Sequence, residues 1–331
     1  MIGLGNIGLM YDLDSNRVKP STHVIAYAMN ANIGYVSAFD TRIEQKTLLN
    51  QMVPEAVFSQ SMKALFEQSP VDVVSICTPP QYHLDNIKEV LKYGNPKVIF
   101  CEKPIIADFN EFKELESLLY DRKIVLVPNL SRRWSRGTDI IRHNIQQKTY
   151  GQLLKVHARY TRGIHNTGSH LFDLLKLFAG NMEWVKVIHQ VNTSADLDHD
   201  PTYSFIFNTD QNVQGHVEGF NDQHYYMFEI DLYFECGKIE FRMSGDSITV
   251  FGTDQHPLFT GFSHLYEIER FDHLLSESNM ANAVKHLIEI MKLERKPMCT
   301  LKDGIYPINV AQSIIQSADS ANQEVSVNSL Q

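Results

Sequence analysis

Gly3-Leu4-Gly5-Asn6-Ile7-Gly8, two residues into the chain, spells G-x-G-x-x-G. Glycines at these spacings permit a tight strand-to-helix turn and let the backbone approach a pyrophosphate, which then rests on a helix N-terminus. Alone, the hexapeptide also suits a plain packing turn, so its context decides. Downstream lie four short apolar runs, Tyr35–Phe39, Val71–Cys77, Lys97–Cys101 and Ile124–Val127, with amphipathic helical stretches near 61–68, 82–93 and 108–121. Strands without clean alternation, separated by helices, predict a parallel sheet covered on both faces and hence a dinucleotide site at the glycine turn. The second half of that fingerprint is an acid closing the next strand, and Asp40 follows Phe39. A carboxylate there accepts both ribose hydroxyls of NAD and repels the extra phosphate of NADP. Arg42, two residues on, offers the alternative of holding that phosphate. The distance from Gly8 to Asp40 exceeds the usual ~20 residues, which predicts a polar insertion around Tyr11–Thr22.

Beyond residue 150 the texture changes. Longer, alternating, aromatic-rich runs appear at Leu154–Thr161, Tyr203–Asn208, Asn212–Phe220, Tyr225–Glu235, Lys238–Met243 and Ser247–Phe251, framed by helical patterns near 136–148, 169–179, 279–294 and 305–318. These predict an antiparallel or mixed sheet, so the fold class is α/β with an N-terminal parallel-sheet domain over 1–130 and a C-terminal α+β domain over 131–331. The 331 residues suit two domains, at roughly 100–200 residues each.

Composition excludes several classes. With 43% hydrophobic and 21% charged residues, the chain reads as an ordinary globular protein. A net charge of −9 and no basic run longer than two argue against nucleic-acid binding. No apolar stretch approaches the ~20 residues of a membrane-spanning helix. Four scattered cysteines, Cys77, Cys101, Cys236 and Cys299, read as reduced thiols in a cytoplasmic protein.

Three further segments carry chemistry. Thr78-Pro79-Pro80-Gln81-Tyr82-His83 and Cys101-Glu102-Lys103-Pro104 end adjacent strands at the carboxyl edge of the sheet, where such folds bind ligands. Lys103 is therefore either a half-buried cation facing the cofactor or a surface lysine in a turn. In Asn166-Thr167-Gly168-Ser169-His170-Leu171-Phe172-Asp173, Thr167 or Ser169 is expected to cap a helix running to Gly180. Asn166 then precedes its start and His170 lies in its first turn, where the helix dipole favours a neutral imidazole suited to general-base work. The alternative is a structural histidine. His165, His170 and Asp173 lack a closed ligand set, so no metal is expected.

Together these segments resemble the glucose–fructose oxidoreductase/inositol dehydrogenase/rhizopine-catabolism (Gfo/Idh/MocA) family. Gly-Leu-Gly-Asn-Ile-Gly, Cys-Thr-Pro-Pro-x-x-His, Cys-Glu-Lys-Pro and Gly-Ser-His-x-x-Asp occur in the family's order through about residue 180. Beyond that, only the architecture and Lys302-Asp303-Gly304 with its helix agree.

The resemblance implies a Rossmann domain followed by a large open sheet, which pairs subunits as a homodimer or homotetramer. It also implies an NAD-dependent oxidoreductase, with NADP as the alternative, acting on a carbon–oxygen centre of a sugar, cyclitol or nucleotide-sugar. In it, Lys103 polarises the reacting oxygen and His170 exchanges the proton. Asn166 stands where many members have aspartate; an amide still hydrogen-bonds a hydroxyl but cannot share a proton. The implied cofactor contacts are Gly3, Gly5, Asn6, Ile7, Gly8, Asp40, Thr41, Arg42, Thr78, Pro79, Pro80, His83, Glu102 and Lys103. The implied substrate contacts are Asn129, Arg132, Trp134, Asn166 and Asp173. Two rival functions remain on this scaffold: a reductase of non-sugar carbonyls or imines, and a non-catalytic ligand-sensing regulator.

Only Met1-Ile2 precede Gly3, whereas the strand before such a turn is central and usually ~5–6 residues long. The expectation is a natural start several residues upstream, in an apolar run.

Overall fold

A computed structural model describes residues 1–68, 70–192 and 199–327. They form two compact units, Met1–Trp134 with Ser278–Ile305, and Ser135–Glu277 with the stretch from Tyr306 onward.

The first unit alternates helix and strand: α1 (His23–Ala28), β1 (Ser37–Ala38), α2 (Gln45–Met52), β2 (Val57–Phe58), α3 (Met62–Gln68), β3 (Val73–Ile76), α4 (His83–Tyr93), β4 (Val98–Cys101), α5 (Glu111–Arg122) and β5 (Val125–Pro128). The pairs β1–β2 and β3–β4–β5 are all parallel, as their helical crossovers require. Ile2 joins the two sheets by bridging Phe39 on one side and Ile76 on the other. Its amide donates to the Ser75 carbonyl at 2.9 Å and its carbonyl accepts from Cys77 at 2.8 Å. The glycine turn therefore starts at the carboxyl end of the sheet.

Residues 9–22 are an insertion within a helix. His23 N donates to Ile7 O at 3.2 Å and Val24 N to Gly8 O at 3.1 Å, so α1 continues the hydrogen bonding begun by the glycine turn. Buried Asp12 ties the insertion off, accepting from the amides of Ser21 (3.0 Å) and Thr22 (2.9 Å). This accounts for the long spacing between Gly8 and Asp40.

The second unit contains α6 (Arg136–Gln147), β6 (Leu153–Tyr160), α7 (Gly168–Ala179), β7 (Met182–Val191), β8 (Thr202–Thr209), β9 (Gln214–Gly219), β10 (Phe228–Phe234), β11 (Gly237–Arg242), β12 (Ser247–Gln255) and β13 (Ser263–Phe271). After α8 (Asn279–Met291) come α9 (Leu301–Asp319) and β14 (Val325–Ser326). The nine-stranded sheet runs β13-β12-β11-β10-β6-β9-β8-β7-β14, antiparallel throughout except for β6–β9. Its inner face buries Tyr160, Phe205, Phe207, Phe228 and Phe241 with Leu171, Phe172 and Leu175 of α7. Each such side chain contributes roughly 1.5–3 kcal/mol when fully buried. The other face carries ion pairs: Asp231 on β10 meets Arg242 at 2.6 Å and Arg159 at 3.1 Å. The expected fold class, a Rossmann-type parallel sheet plus a large mixed sheet, matches this architecture.

The division of the chain differs from the expected cut at 130/131. Residues 278–305 return to the first unit because the apolar stripe of α8, Met280, Ala283, Val284, Leu287 and Ile290, packs in one core with Leu4, Leu9 and Val24. Buried Arg133 fastens the return, donating to the Met298 carbonyl at 2.7 Å and pairing with Asp303 at 3.2 Å. Residues 193–198 and 328–331, included in the expected second domain, lie outside the described residues.

Candidate functional site

The carboxyl ends of Ile2, β3 and β4 collect most of the expected site residues of the first unit. Gly3 has φ +91°, and a Cβ there would lie 2.9 Å from the Cys77 carbonyl. A Cβ on Gly8 would lie 2.4 Å from the Gly3 carbonyl oxygen. Gly5 is different: no atom lies within 4 Å of the place its Cβ would take. The first and third glycines are thus required by packing, while the middle one leaves an open cradle at the turn. That space is what a pyrophosphate needs for close approach, so the residues present fit a dinucleotide.

Asp40, 9% exposed, follows Phe39 and lies against this turn. Its Oδ2 accepts from Leu4 N at 2.7 Å, and Arg42 grips both oxygens, Nε to Oδ1 at 3.0 Å and Nη2 to Oδ2 at 2.9 Å. Burial pushes the Asp40 carboxyl up, but the Arg42 side chain and the Leu4 and Arg42 amides outweigh it and hold it below the usual carboxylate range. The two candidate ribose readers are therefore one ion pair, with Thr41 exposed beside them.

After β3, Thr78 turns the chain through Pro79 and a 3₁₀ turn at Pro80–Tyr82 into α4. His83 does not face the open edge, as a cofactor contact would. Its ring is fully buried, Nε2 donating to Thr78 O at 2.7 Å while Nδ1 lies 3.6 Å from Cys101 Sγ. Burial lowers its proton affinity despite nearby carbonyls, which suits a neutral ring stapling the β3 turn to β4.

Glu102 ends β4 with 13% of its side chain exposed, and half-buried Lys103 follows at a cis Lys103–Pro104 bond. Glu102 Oε1 meets His23 Nε2 at 2.8 Å and accepts from Asn129 Nδ2 at 2.6 Å. Asn129 in turn accepts from Trp134 Nε1 at 3.0 Å. Of the expected substrate contacts here, Asn129 and Trp134 are buried and committed to this network, and Arg132 is half-buried in the turn between them.

His170, Asn166 and Asp173 belong to the second unit. The expected side-chain cap of α7 is replaced by a π-helical turn, Gly163–Thr167, that runs straight into it. Asp200 holds this turn, accepting from His165 N at 2.8 Å and Asn166 N at 2.9 Å. Ser169 Oγ donates to Asn166 O at 2.8 Å instead of capping an amide. His170 is half-buried near the start of α7, whereas Asp173 is 1% exposed within the core.

Sequence reasoning missed His23, Ser75 and Asp200. None lies within the motifs, and only the fold brings them to Glu102 and the Asn166 turn. A cavity of about 540 Å³ beside Ile33–Ser37 and Val71–Val73 lies at the amino ends of the strands, the opposite edge from these motifs.

Residues 1–130 match the model of an oxidoreductase family with an NAD-binding Rossmann fold. That family is Gfo/Idh/MocA, and the match spans 130 of the 331 residues. Among curated relatives, inositol 2-dehydrogenase of Rhizobium meliloti is 30% identical over 94 residues, 28% of this chain and 28% of that one. D-glucoside 3-dehydrogenase of Escherichia coli is 22% identical over 168 residues, 51% of this chain and 47% of that one. The chain thus spans under half the length of either relative. The WlbA dehydrogenase of Bordetella pertussis, crystallised with NADH and UDP-GlcNAcA, shares the fold across 99% of this chain and 98% of its own, with a TM-score of 0.74 at 15% identity.

Proposed function

We propose that this protein is an NAD-dependent oxidoreductase that moves a hydride between nicotinamide and a carbon–oxygen centre of a sugar, cyclitol or nucleotide-sugar. The observation that carries it is the placement of Lys103, directly after the anchored Glu102, on the same strand edge as the open cradle at Gly5. The curated relatives act on inositol and a D-glucoside, which supports the carbohydrate class.

Bound NAD supplies the hydride acceptor. Gly5 admits the pyrophosphate, and Asp40 receives the ribose hydroxyls. Arg42 already spends Nε and Nη2 on Asp40, whose charge repels a 2′-phosphate, so NAD is favoured over NADP. The Lys103 ammonium donates to the reacting oxygen and stabilises the charge that develops there. His170, by the resemblance, accepts the hydroxyl proton in the oxidation direction. Asn166 donates its amide to a substrate hydroxyl. The open face of the nine-stranded sheet is assigned to subunit pairing, and the protein to the cytoplasm.

A turnover screen of polyols, sugars and nucleotide-sugars with NAD and NADP tests this function. Turnover in one carbohydrate class is expected, with Lys103→Met slower by on the order of 10²–10³ and NAD affinity little changed. NAD binding without turnover in any class would overturn the carbohydrate oxidoreductase assignment in favour of a ligand-sensing regulator or a reductase of another carbonyl or imine. Lys103→Met within threefold of wild type would remove the lysine from the mechanism.

A further inference from the structure

The cavity at the amino ends of the strands lies between β1 and β3, on the line of Ile2. Ile2 bridges Phe39 on one side and Ile76 on the other, parallel to both. Continued toward the amino ends, that register sets Met1 beside Ala38 and Ser75. The next three positions then fall beside Ser37 and Val74, Val36 and Val73, and Tyr35 and Asp72. All of these except Val74 line the cavity, whose volume is about 540 Å³.

The walls carry the hydrogen-bonding pattern of a parallel ladder. Met1 N donates to Ser37 O at 2.8 Å and Met1 O accepts from Phe39 N at 2.9 Å, while Ile2 spans Ser75 O and Cys77 N in the same way. On their far sides, Val36 O accepts from Val57 N of β2 and Asp72 O from Val98 N of β4. Alternate residues of each strand thus serve opposite neighbours. By that alternation Tyr35 O, Ser37 N, Val73 O and Ser75 N are the next ladder groups on the Ile2 side. Tyr27 of α1 and Val284, Leu287, Ile288 and Met291 of α8 complete the wall with large, mostly apolar side chains. A small apolar ligand would match those side chains and leave the ladder groups unmatched, whereas an extended apolar backbone matches both. Met1 N already occupies its place in the ladder, so a segment joined to it enters the cavity without a turn.

We propose that this cavity is a strand site, filled by an extended apolar segment of about three residues that is joined to Met1, runs parallel to β1 and β3, and holds Ile2 and the glycine turn in place. The middle residue of the segment donates to Tyr35 O and accepts from Ser37 N. The residue next to Met1 donates to Val73 O and accepts from Ser75 N. Ile2 and Gly3 follow directly, and their own amides are already bound to Ser75 O and Phe39 O at 2.9 Å each. A filled site therefore extends the ladder on both sides of the strand that leads into the turn.

The test compares the whole protein, released from a cleavable tag, with Val-Ile-Val, Val-Pro-Val, Ser-Gly-Ser or nothing ahead of Met1, and needs neither substrate nor cofactor. Val-Ile-Val should slow hydrogen exchange at the amides of Ser37 and Ser75, and at Ile2 and Gly3, by on the order of tenfold or more. It should also raise Tm by about 5–10 °C, from the apolar side chains it buries. The proline of Val-Pro-Val cannot donate to Tyr35 O, and Ser-Gly-Ser brings no apolar side chains, so both should fall well short on exchange and on Tm. Unchanged exchange at any of the four amides with Val-Ile-Val overturns the proposal, as does equal protection by Val-Pro-Val or Ser-Gly-Ser. Equal protection from acetyl-Val-Ile-Val-amide added to the unextended protein also overturns it, because the occupant would then be a separate peptide.

Discussion

Replacing Gly5 and Gly8 with alanine, one at a time, separates the two jobs that glycines do in one turn. At Gly8 the new methyl meets the Gly3 carbonyl oxygen at 2.4 Å, with further backbone atoms of Gly3 and Leu4 at 3.2 Å. Backbone cannot rotate away as a side chain can, so the turn must shift. Overpacking of this kind costs about 1–3 kcal/mol. At ~2–4 °C per kcal/mol for a unit of this size, Tm should fall by about 2–12 °C. At Gly5 nothing lies within 4 Å and the backbone is not left-handed. Alanine there should leave Tm unchanged or raise it slightly, because it restricts the unfolded chain by about 0.4–1 kcal/mol. The same methyl fills the space a pyrophosphate needs, and a loss of about 1.4 kcal/mol already means tenfold weaker NAD. The assays are differential scanning fluorimetry and an NADH fluorescence titration on both variants. Wild-type NADH affinity in Gly5→Ala would refute the cradle, and a wild-type Tm in Gly8→Ala would refute the packing explanation.

Three further outcomes are expected. Asp40→Ser should shift preference toward NADP, since it removes a charge that repels the 2′-phosphate and frees Arg42 to bind it; equal NAD and NADP affinities before and after the change would show that Asp40 does not read the ribose. Asn166→Asp should move the pH optimum of turnover by placing a titratable group where an amide stood, and an unchanged pH profile would exclude that side chain from proton transfer. For Asp231, burial pushes the carboxyl up but Arg242, Lys238 and Arg159 pull it below its ordinary value, so its stabilisation is present above the unfolded value of about 3.9 and is lost as pH falls through the folded one. Asp231→Asn should therefore cost about 1.5–3 kcal/mol near neutrality, with the gap to wild type closing as pH falls from about 5 toward 2 in urea unfolding.

Local patterning alone was enough for the glycine turn, the acid after the next strand, the two strand-ending motifs and the change from parallel to mixed sheet. All of these depend on spacings of a few residues, which dihedral preference and alternation encode directly. The strand β7 was also within reach, because Met182-Glu183-Trp184-Val185-Lys186-Val187 alternates, whereas β13 is exposed along nearly its whole length and its Leu265, Tyr266 and Ile268 do not join a core. What packs against what is a different kind of information. The amphipathic stripe of α8 is visible in the sequence, but that it closes the first unit follows only from the core it joins. His83 stands in a ligand-binding motif and is spent on backbone carbonyls, while His23, in no motif, reaches a carboxylate 79 positions away. The start of α7 looked like a capped helix and is a π turn held by Asp200, 34 positions further along the chain from Asn166. The sequence by itself determined the kind of fold and which edge of it could hold a dinucleotide, since those follow from local geometry. Only the tertiary structure decided which charged groups face one another and which of them are buried, because burial and pairing depend on contacts between segments far apart along the chain.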